Sequence, residues 1–208
     1  MAIDLSRINN IIFDLGVVLL NIDVDAPFRE LKKLGIEDFD ARYTTLIDSG
    51  LMIDLEVGIV TPQAFRDGIR KVMDLNISDR ELDRIWNTVL LDFPDENIRL
   101  LENLKRSYDT YILSNTNTIH CEEYTRKLKD EFGYQDLGEL VKYAYYSHDM
   151  QLRKPGQKIY QKVLDEQKLV PEETLFIDDL RENVEAAKQL GIQAYHLTPV
   201  ELVVDLFK

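Results

Sequence analysis

Cysteine is almost missing from this chain: among 208 residues there is one, Cys121. A single thiol excludes an internal disulfide and any cysteine-based zinc site, and it fits a reducing compartment. Basic residues are also in short supply. Lys and Arg number 25 against 38 Asp and Glu, a formal charge of −13, and that balance repels phosphate backbones and anionic lipid headgroups. Nucleic acid and membrane surfaces are therefore not expected as partners, and no protein partner is indicated. No apolar run approaches the roughly 18 residues needed to span a bilayer. The opening stretch MAIDLSRINN lacks a basic segment followed by an apolar core, so no signal peptide is expected and a cytoplasmic location fits best. Internal repeats, low-complexity segments and flexible linkers are missing as well. What the chain does have is 45% hydrophobic and 30% charged residues, the composition of a foldable globular protein. Its length suits one large domain, or one domain carrying an insertion.

Short apolar runs bounded by turn-forming residues recur along the chain and read as buried strands. Ile11 to Phe13 ends at Asp14, and after Gly16 a second apolar run covers Val17 to Leu20. Tyr111 to Leu113 is followed by Ser114 and Asn115, Tyr143 to Tyr146 by Ser147, and Leu175 to Ile177 by Asp178 and Asp179, while Gln193 to Leu197 lies near the end. Helical patterns separate them. Pro94 opens a stretch with Ile98, Leu101 and Leu104, Pro155-Gly156 opens another with Ile159, Tyr160, Val163 and Leu164, and Arg181 to Leu190 closes at Gly191. Alternating strands and helices imply a doubly wound, Rossmann-like α/β fold with a parallel sheet.

The stretch between the first two such strands holds none of comparable quality and is too long for a simple crossover. It reads as an inserted all-helical cap. Pro27 stands near the start of a helix with Phe28, Leu31 and Leu34 that ends at Gly35. Thr61-Pro62 is an N-cap followed by proline at the first helical position, and Ser78 with Glu81 is a capping-box pattern before Leu82, Ile85 and Trp86. The expected division is a core of residues 1–22 and 93–208 and a cap of residues 23–92. Phe28, Phe39, Tyr43 and Trp86, at helical spacings, are expected in the cap core. Cys121 reads as an incidental residue at the start of a helix.

Ligands of open parallel sheets bind at the carboxyl ends of the strands. Asp14, Ser114 with Asn115, Lys154, and Asp178 with Asp179 all fall there: three carboxylates, a hydroxyl, an amide and an ammonium at one rim. Taken singly, each could be a loop cap, a helix cap or a solvated charge; the set in this order points to chemistry. Clustered carboxylates repel unless a cation is shared, and an all-oxygen set suits magnesium rather than zinc. A lysine and a hydroxyl beside such an ion would hold a phosphoryl group, which an aspartate could attack.

These residues resemble the haloacid dehalogenase-like (HAD) hydrolases over the whole chain: IIFDLG, LSNTN, RKP and FIDD stand in that family's order, with a helical cap after the first motif. DLGVVLLNID, LSNTNTIH, LRKPGQKIY and FIDDLRENVEAAKQLG look most like a bacterial branch that includes an α-D-glucose-1-phosphate phosphatase. The resemblance implies that Asp14 is the nucleophile and a magnesium ligand, and that Gly16 lends its backbone carbonyl to the metal. Ser114 and the Asn115 region would bind the phosphoryl group, and Lys154 would neutralise its charge and orient Asp14. Asp179, four residues before Asn183, would ligate magnesium directly, with Asp178 a second or water-mediated partner.

Two departures stand out. Many phosphatases of the family carry an aspartate two positions after the nucleophile, as acid and base; here that position is Gly16, which has no side chain for either task. Candidates for the role are His120, His148, Asp23 and Glu56. Gln151 also stands where the branch has glycine, two residues before Arg153. EVGIVTPQAF resembles a cap segment whose glutamate and glycine face the active site, so Glu56 and Gly58 either line the entrance or form a solvated turn. The function expected is a magnesium-dependent phosphatase acting on a small soluble phosphomonoester, such as a hexose phosphate. Alternatives are a non-catalytic phosphometabolite-binding or regulatory protein, a 2-haloacid dehalogenase, which the intact acidic pair argues against, and a phosphomutase, which Gly16 disfavours.

Overall fold

The computed structural model describes residues 5–208; the first four residues of the expected core segment lie outside the described residues. The chain enters through β1 (Asn10–Phe13) and then runs through five helices: α1 (Ala26–Lys33), α2 (Phe39–Asp48), α3 (Leu51–Glu56), α4 (Pro62–Met73) and α5 (Asp79–Trp86). It returns through α6 (Asp95–Leu104) to β2 (Asp109–Ser114), α7 (Thr118–Phe132), β3 (Tyr143–Tyr146), the one-turn α8 (Ser147–Met150) and α9 (Gln157–Gln167). The last elements are β4 (Thr174–Asp178), α10 (Arg181–Lys188) and β5 (Gln193–His196). Among the described residues no helix is long and apolar enough to cross a membrane.

The five strands form one parallel sheet in the order β3-β2-β1-β4-β5. Strand alternation sorts its side chains onto two faces. Ile11, Phe13, Ile112, Leu175 and Ile177 join one buried cluster, and Ile12, Tyr111, Leu113 and Phe176 join the other. Every residue of β1 and β4 is buried, whereas edge strands β3 and β5 are largely half-exposed. Central parallel strands need this double covering. The chain order reverses direction around β1, so the crevice beyond the carboxyl ends of β1, β2 and β4 is the place where such sheets bind ligands.

The five helices between β1 and α6 gather a hydrophobic cluster of their own, including Leu31, Leu46, Phe65, Ile69, Leu82 and Trp86, with Phe28, Phe39 and Tyr43 packed against it. Ile119 from α7 also enters this cluster. Local signals start its helices as the sequence leads one to expect. The Thr61 hydroxyl accepts from the Ala64 N–H, and the Ser78 hydroxyl accepts from the Glu81 N–H. The reciprocal half of the Ser78 capping box is diverted, because the Glu81 carboxylate takes the Arg84 guanidinium. The two passages between the helices and the sheet run side by side. Ile22 and Leu90 bridge antiparallel, and Asn21 exchanges backbone hydrogen bonds of 2.9 Å with Leu91 and Asp92.

One expected element is absent. The apolar run Val17 to Leu20 is a turn, not a strand, with Val17 exposed and Val18, Leu19 and Leu20 buried: the Val17 N–H bonds the Leu20 carbonyl at 2.8 Å and the Val18 N–H bonds the Gly16 carbonyl at 2.7 Å. Val17 takes a left-handed φ of 64° to make it, a costly conformation for a β-branched residue. Hydrophobicity drove Val18, Leu19 and Leu20 inward, and the turn's own hydrogen bonds satisfied a backbone that no neighbouring strand covers.

Candidate active site

Asp14 follows β1 directly, its N–H bonded to the Ile177 carbonyl of β4 at 2.9 Å. Lys154 comes from the loop between α8 and α9 and is 1% exposed. Its Nζ donates to Asp14 Oδ1 and to Asp178 Oδ2, both at 2.7 Å. Burial on its own would lower the lysine's pKa, but the two carboxylates outweigh it and hold the group above its ordinary value. Burial raises the Asp14 pKa, Lys154 works against that, and Asp178 adds to it.

Asp178, the last residue of β4, is fully buried with both oxygens engaged. Oδ1 accepts from the Leu180 N–H at 2.8 Å and from Asn183 Nδ2 at 2.9 Å, and Oδ2 accepts from Asn183 at 3.0 Å in addition to Lys154. Asp179 is only partly buried, and its pKa is raised by burial and by Asp178. Its backbone carbonyl meets His196 Nε2 at 2.9 Å. Oxygens of Asp14, Asp178 and Asp179 lie within 4.8 Å of one another. Three carboxylates against one ammonium leave a negative excess that favours a hard cation with oxygen ligands.

Ser114, at the end of β2, is buried and lines a cavity of about 320 Å³. Gly16, Asn115 and Glu56 border the same cavity, whose remaining wall is largely apolar, with Leu20, Ile22, Phe28, Met52 and Trp86. The Asn115 side chain is engaged with the Lys154 backbone. Its side-chain amide donates to the Lys154 carbonyl at 3.0 Å and accepts from the Lys154 N–H at 2.9 Å. That two-point pairing fixes the loop that carries Lys154 and commits the Asn115 side chain to it.

Glu56 ends α3 and is held over the rim by the backbone. The Ser147 hydroxyl accepts from the Thr116 N–H at 2.9 Å and lies 2.6 Å from the Glu56 carbonyl. Gly58, two residues on, packs so closely that a Cβ there would stand 2.3 Å from the His148 carbonyl oxygen, and its φ is +68°. The Glu56 carboxylate faces Arg153 at 3.5 Å. Burial raises its pKa, opposed by Arg153 and Lys154.

The other three candidates for the role left open at Gly16 fare differently. Asp23 is paired with Arg29 and stays out of the cavity wall. His148 turns its Nδ1 toward the Thr116 carbonyl at 3.2 Å and borders a separate depression with Cys121. His120 borders the cavity, but its ring stacks on Trp86, its Nδ1 takes Asn117 Nδ2 at 2.9 Å, and burial pushes its pKa down to about 4. Ser147, Arg153 and the Asn115–Lys154 pairing went unrecognised in the sequence. None has a motif of its own; the neighbouring RKP fragment was the nearest signal.

Residues 63–191 match the haloacid dehalogenase-like hydrolase family. The chain is 34% identical to a HAD family enzyme of Bacteroides thetaiotaomicron, whose structure superposes with a TM-score of 0.90 over 97% of this chain and 98% of that one. A structure of a HAD family enzyme from the same organism in complex with magnesium and inorganic phosphate is 33% identical, with a TM-score of 0.88, 97% of this chain and 100% of that chain covered. A D-ribitol-5-phosphate phosphatase, again from Bacteroides thetaiotaomicron, is 29% identical over 193 residues, 90% of this chain and 91% of the relative. The fold, the order of the rim residues and these matches agree: the chain belongs to the haloacid dehalogenase-like hydrolases.

Proposed function

We propose that this protein is a magnesium-dependent phosphatase that hydrolyses a small sugar or polyol phosphate through an aspartyl-phosphate on Asp14. The observation that carries the reading is Lys154, a buried ammonium shared by Asp14 and Asp178 beside a cavity bordered by Ser114. The core is read as residues 1–22 and 93–208 and the cap as residues 23–92, in a cytoplasmic protein whose single cysteine is free. Support for the substrate class comes from the phosphatase relative, whose substrate is a polyol phosphate, and from the cavity, small enough for a compact ester. The hexose 1-phosphate suggested by the sequence and this pentitol phosphate share one chemistry, a phosphomonoester on a polyhydroxylated chain.

In this reading Lys154 holds the Asp14 carboxylate toward the phosphorus and offsets the charge of the transferring group. The Ser114 hydroxyl and the Asn115 main chain bind the phosphoryl oxygens. Asp14 displaces the alcohol to give the acyl-phosphate, which water then hydrolyses. The helical cap covers the cavity and keeps bulk water from the intermediate. The all-carboxylate donor set fits magnesium, which Asp14, the Gly16 carbonyl and Asp179 would hold, with Asp178 alongside since its oxygens are already hydrogen-bonded. When bound, the ion draws charge from the phosphoryl oxygens and eases their approach to a carboxylate.

The test is phosphate release with magnesium across polyol phosphates, sugar phosphates, nucleotides and flavin mononucleotide. Release from small polyol or sugar phosphates is expected, with a fall of at least ~10³-fold in the Asp14→Asn variant. Binding without release by the unaltered protein across the panel would favour a phosphometabolite-binding protein instead.

A further inference from the structure

Breaking a phosphoester leaves an alkoxide that must gain a proton, and Gly16 offers no side chain to supply one. The space beside it is taken as well: a Cβ on Gly16 would stand 3.1 Å from Ile22 Cδ1. The donor must therefore come from elsewhere in the cavity wall. Among the described residues, the titratable groups bordering the cavity are Glu56, His120 and Tyr124. Tyr124 is held far into its protonated form by burial, making it a poor acid. His120 is kept neutral, its Nδ1 occupied by Asn117 and its ring held flat against Trp86. Glu56 remains. Its backbone is fixed to the core by Ser147, the residue borders the same cavity as Gly16 and Ser114, and the charged groups that act on its carboxylate are Arg153 and Lys154. The second of these is the lysine that holds Asp14, so Glu56 and Asp14 share the field of one ammonium.

We infer that Glu56, carried by α3, is the proton donor to the leaving alcohol. This rests on the phosphatase reading above. Asp14 forms a bond to phosphorus, the ester P–O bond breaks with its electron pair moving to the alcohol oxygen, and that oxygen takes the Glu56 carboxyl proton. Water then attacks the phosphorus of the acyl-phosphate, releases Asp14 as carboxylate and yields inorganic phosphate, and its proton restores Glu56. Because Glu56 reaches this position through contacts of the Glu56–Gly58 turn with Ser147 and His148, the acid is in place only with that turn seated on the core.

The test compares kcat/KM, which reports the steps up to departure of the alcohol, for Glu56→Gln and unaltered protein. Two esters are used with magnesium: p-nitrophenyl phosphate, whose leaving group needs no proton, and an alkyl phosphate such as ribitol 5-phosphate. The expected loss is about 10²–10⁴-fold on the alkyl ester and less than about 10-fold on the aryl ester, whose turnover also shows that the variant is folded. Equal losses on both esters, or no loss on the alkyl ester, would overturn the role of Glu56 while leaving the phosphatase reading intact. An unaltered protein that releases phosphate from neither ester overturns that reading, and this role with it.

Discussion

The two sides of the cavity are built differently. On the sheet side, Lys154, Asp14, Asp178 and Asn183 form a hydrogen-bonded network with contacts of 2.7–3.0 Å and almost no exposure at Lys154 and Asp178. On the helical side, the Glu56–Arg153 pair is stretched to 3.5 Å, with side chains 21% and 39% exposed. The first arrangement holds charges that burial would otherwise neutralise, and it fixes Asp14, the proposed nucleophile, before any ligand arrives. The second leaves Glu56, which borders the cavity, without a strong partner for its carboxylate, as its proposed role of proton donor requires. The sheet provides a preformed electrostatic frame; the cap provides an adaptable group.

The contrast can be broken most severely at its rigid side. Lys154→Met would leave Asp14 and Asp178 buried without their shared cation, and the metal-free protein should lose about 3 kcal/mol or more of stability. The matching change on the cap side, Arg153→Ala, should cost no more than about 1 kcal/mol. Urea unfolding of both variants measures the difference, and similar losses would mean that the two sides are equally tight.

A smaller effect belongs to the contact between them. His120 of α7 stacks on Trp86 of α5 with ring centroids 5.6 Å apart, and burial lowers its pKa to about 4. In the unfolded chain the imidazole titrates near 6.5. The unfolded state therefore binds the extra proton between those values, so this contribution is complete above about pH 6.5 and is lost as the pH falls toward 4. It amounts to at most about 3 kcal/mol. The difference in stability between the unaltered protein and His120→Phe should change over that interval and be flat above it. A difference independent of pH would show that His120 is not held neutral.

Most of the sheet and its rim could be read from the sequence, because the central strands are short continuous apolar runs that give way to polar residues at their carboxyl ends. Asp14, Ser114, Asp178 and Asp179 project from strand ends in consequence. Lys154 was legible through its motif, but the depth of its burial was not, since that depends on Asn115 gripping its backbone from another loop. The position of Gln151 was legible in another way: glycine was expected there, and Gln151 takes a φ of 53°, in the left-handed region glycine favours. The turn at Val17 was misread because apolarity marks burial and not conformation. In the cap, α2 and α3 were less distinct than α1, α4 and α5, as neither opens with a proline or a side-chain cap hydrogen bond and each begins from a left-handed residue, Asp38 or Gly50. That Glu56 and His120 border the cavity while Asp23 and His148 do not was beyond the sequence, since it depends on how the helices seat against the sheet.

The central claim, attack by Asp14 on phosphorus, is tested most directly by trapping the intermediate. Protein turning over p-nitrophenyl phosphate with magnesium is quenched in acid, digested, and its peptides weighed. The account predicts a phosphoryl adduct on the peptide that contains Asp14, absent from the Asp14→Asn variant. An adduct on a different residue, or phosphate release by Asp14→Asn at the rate of the unaltered protein, would contradict it.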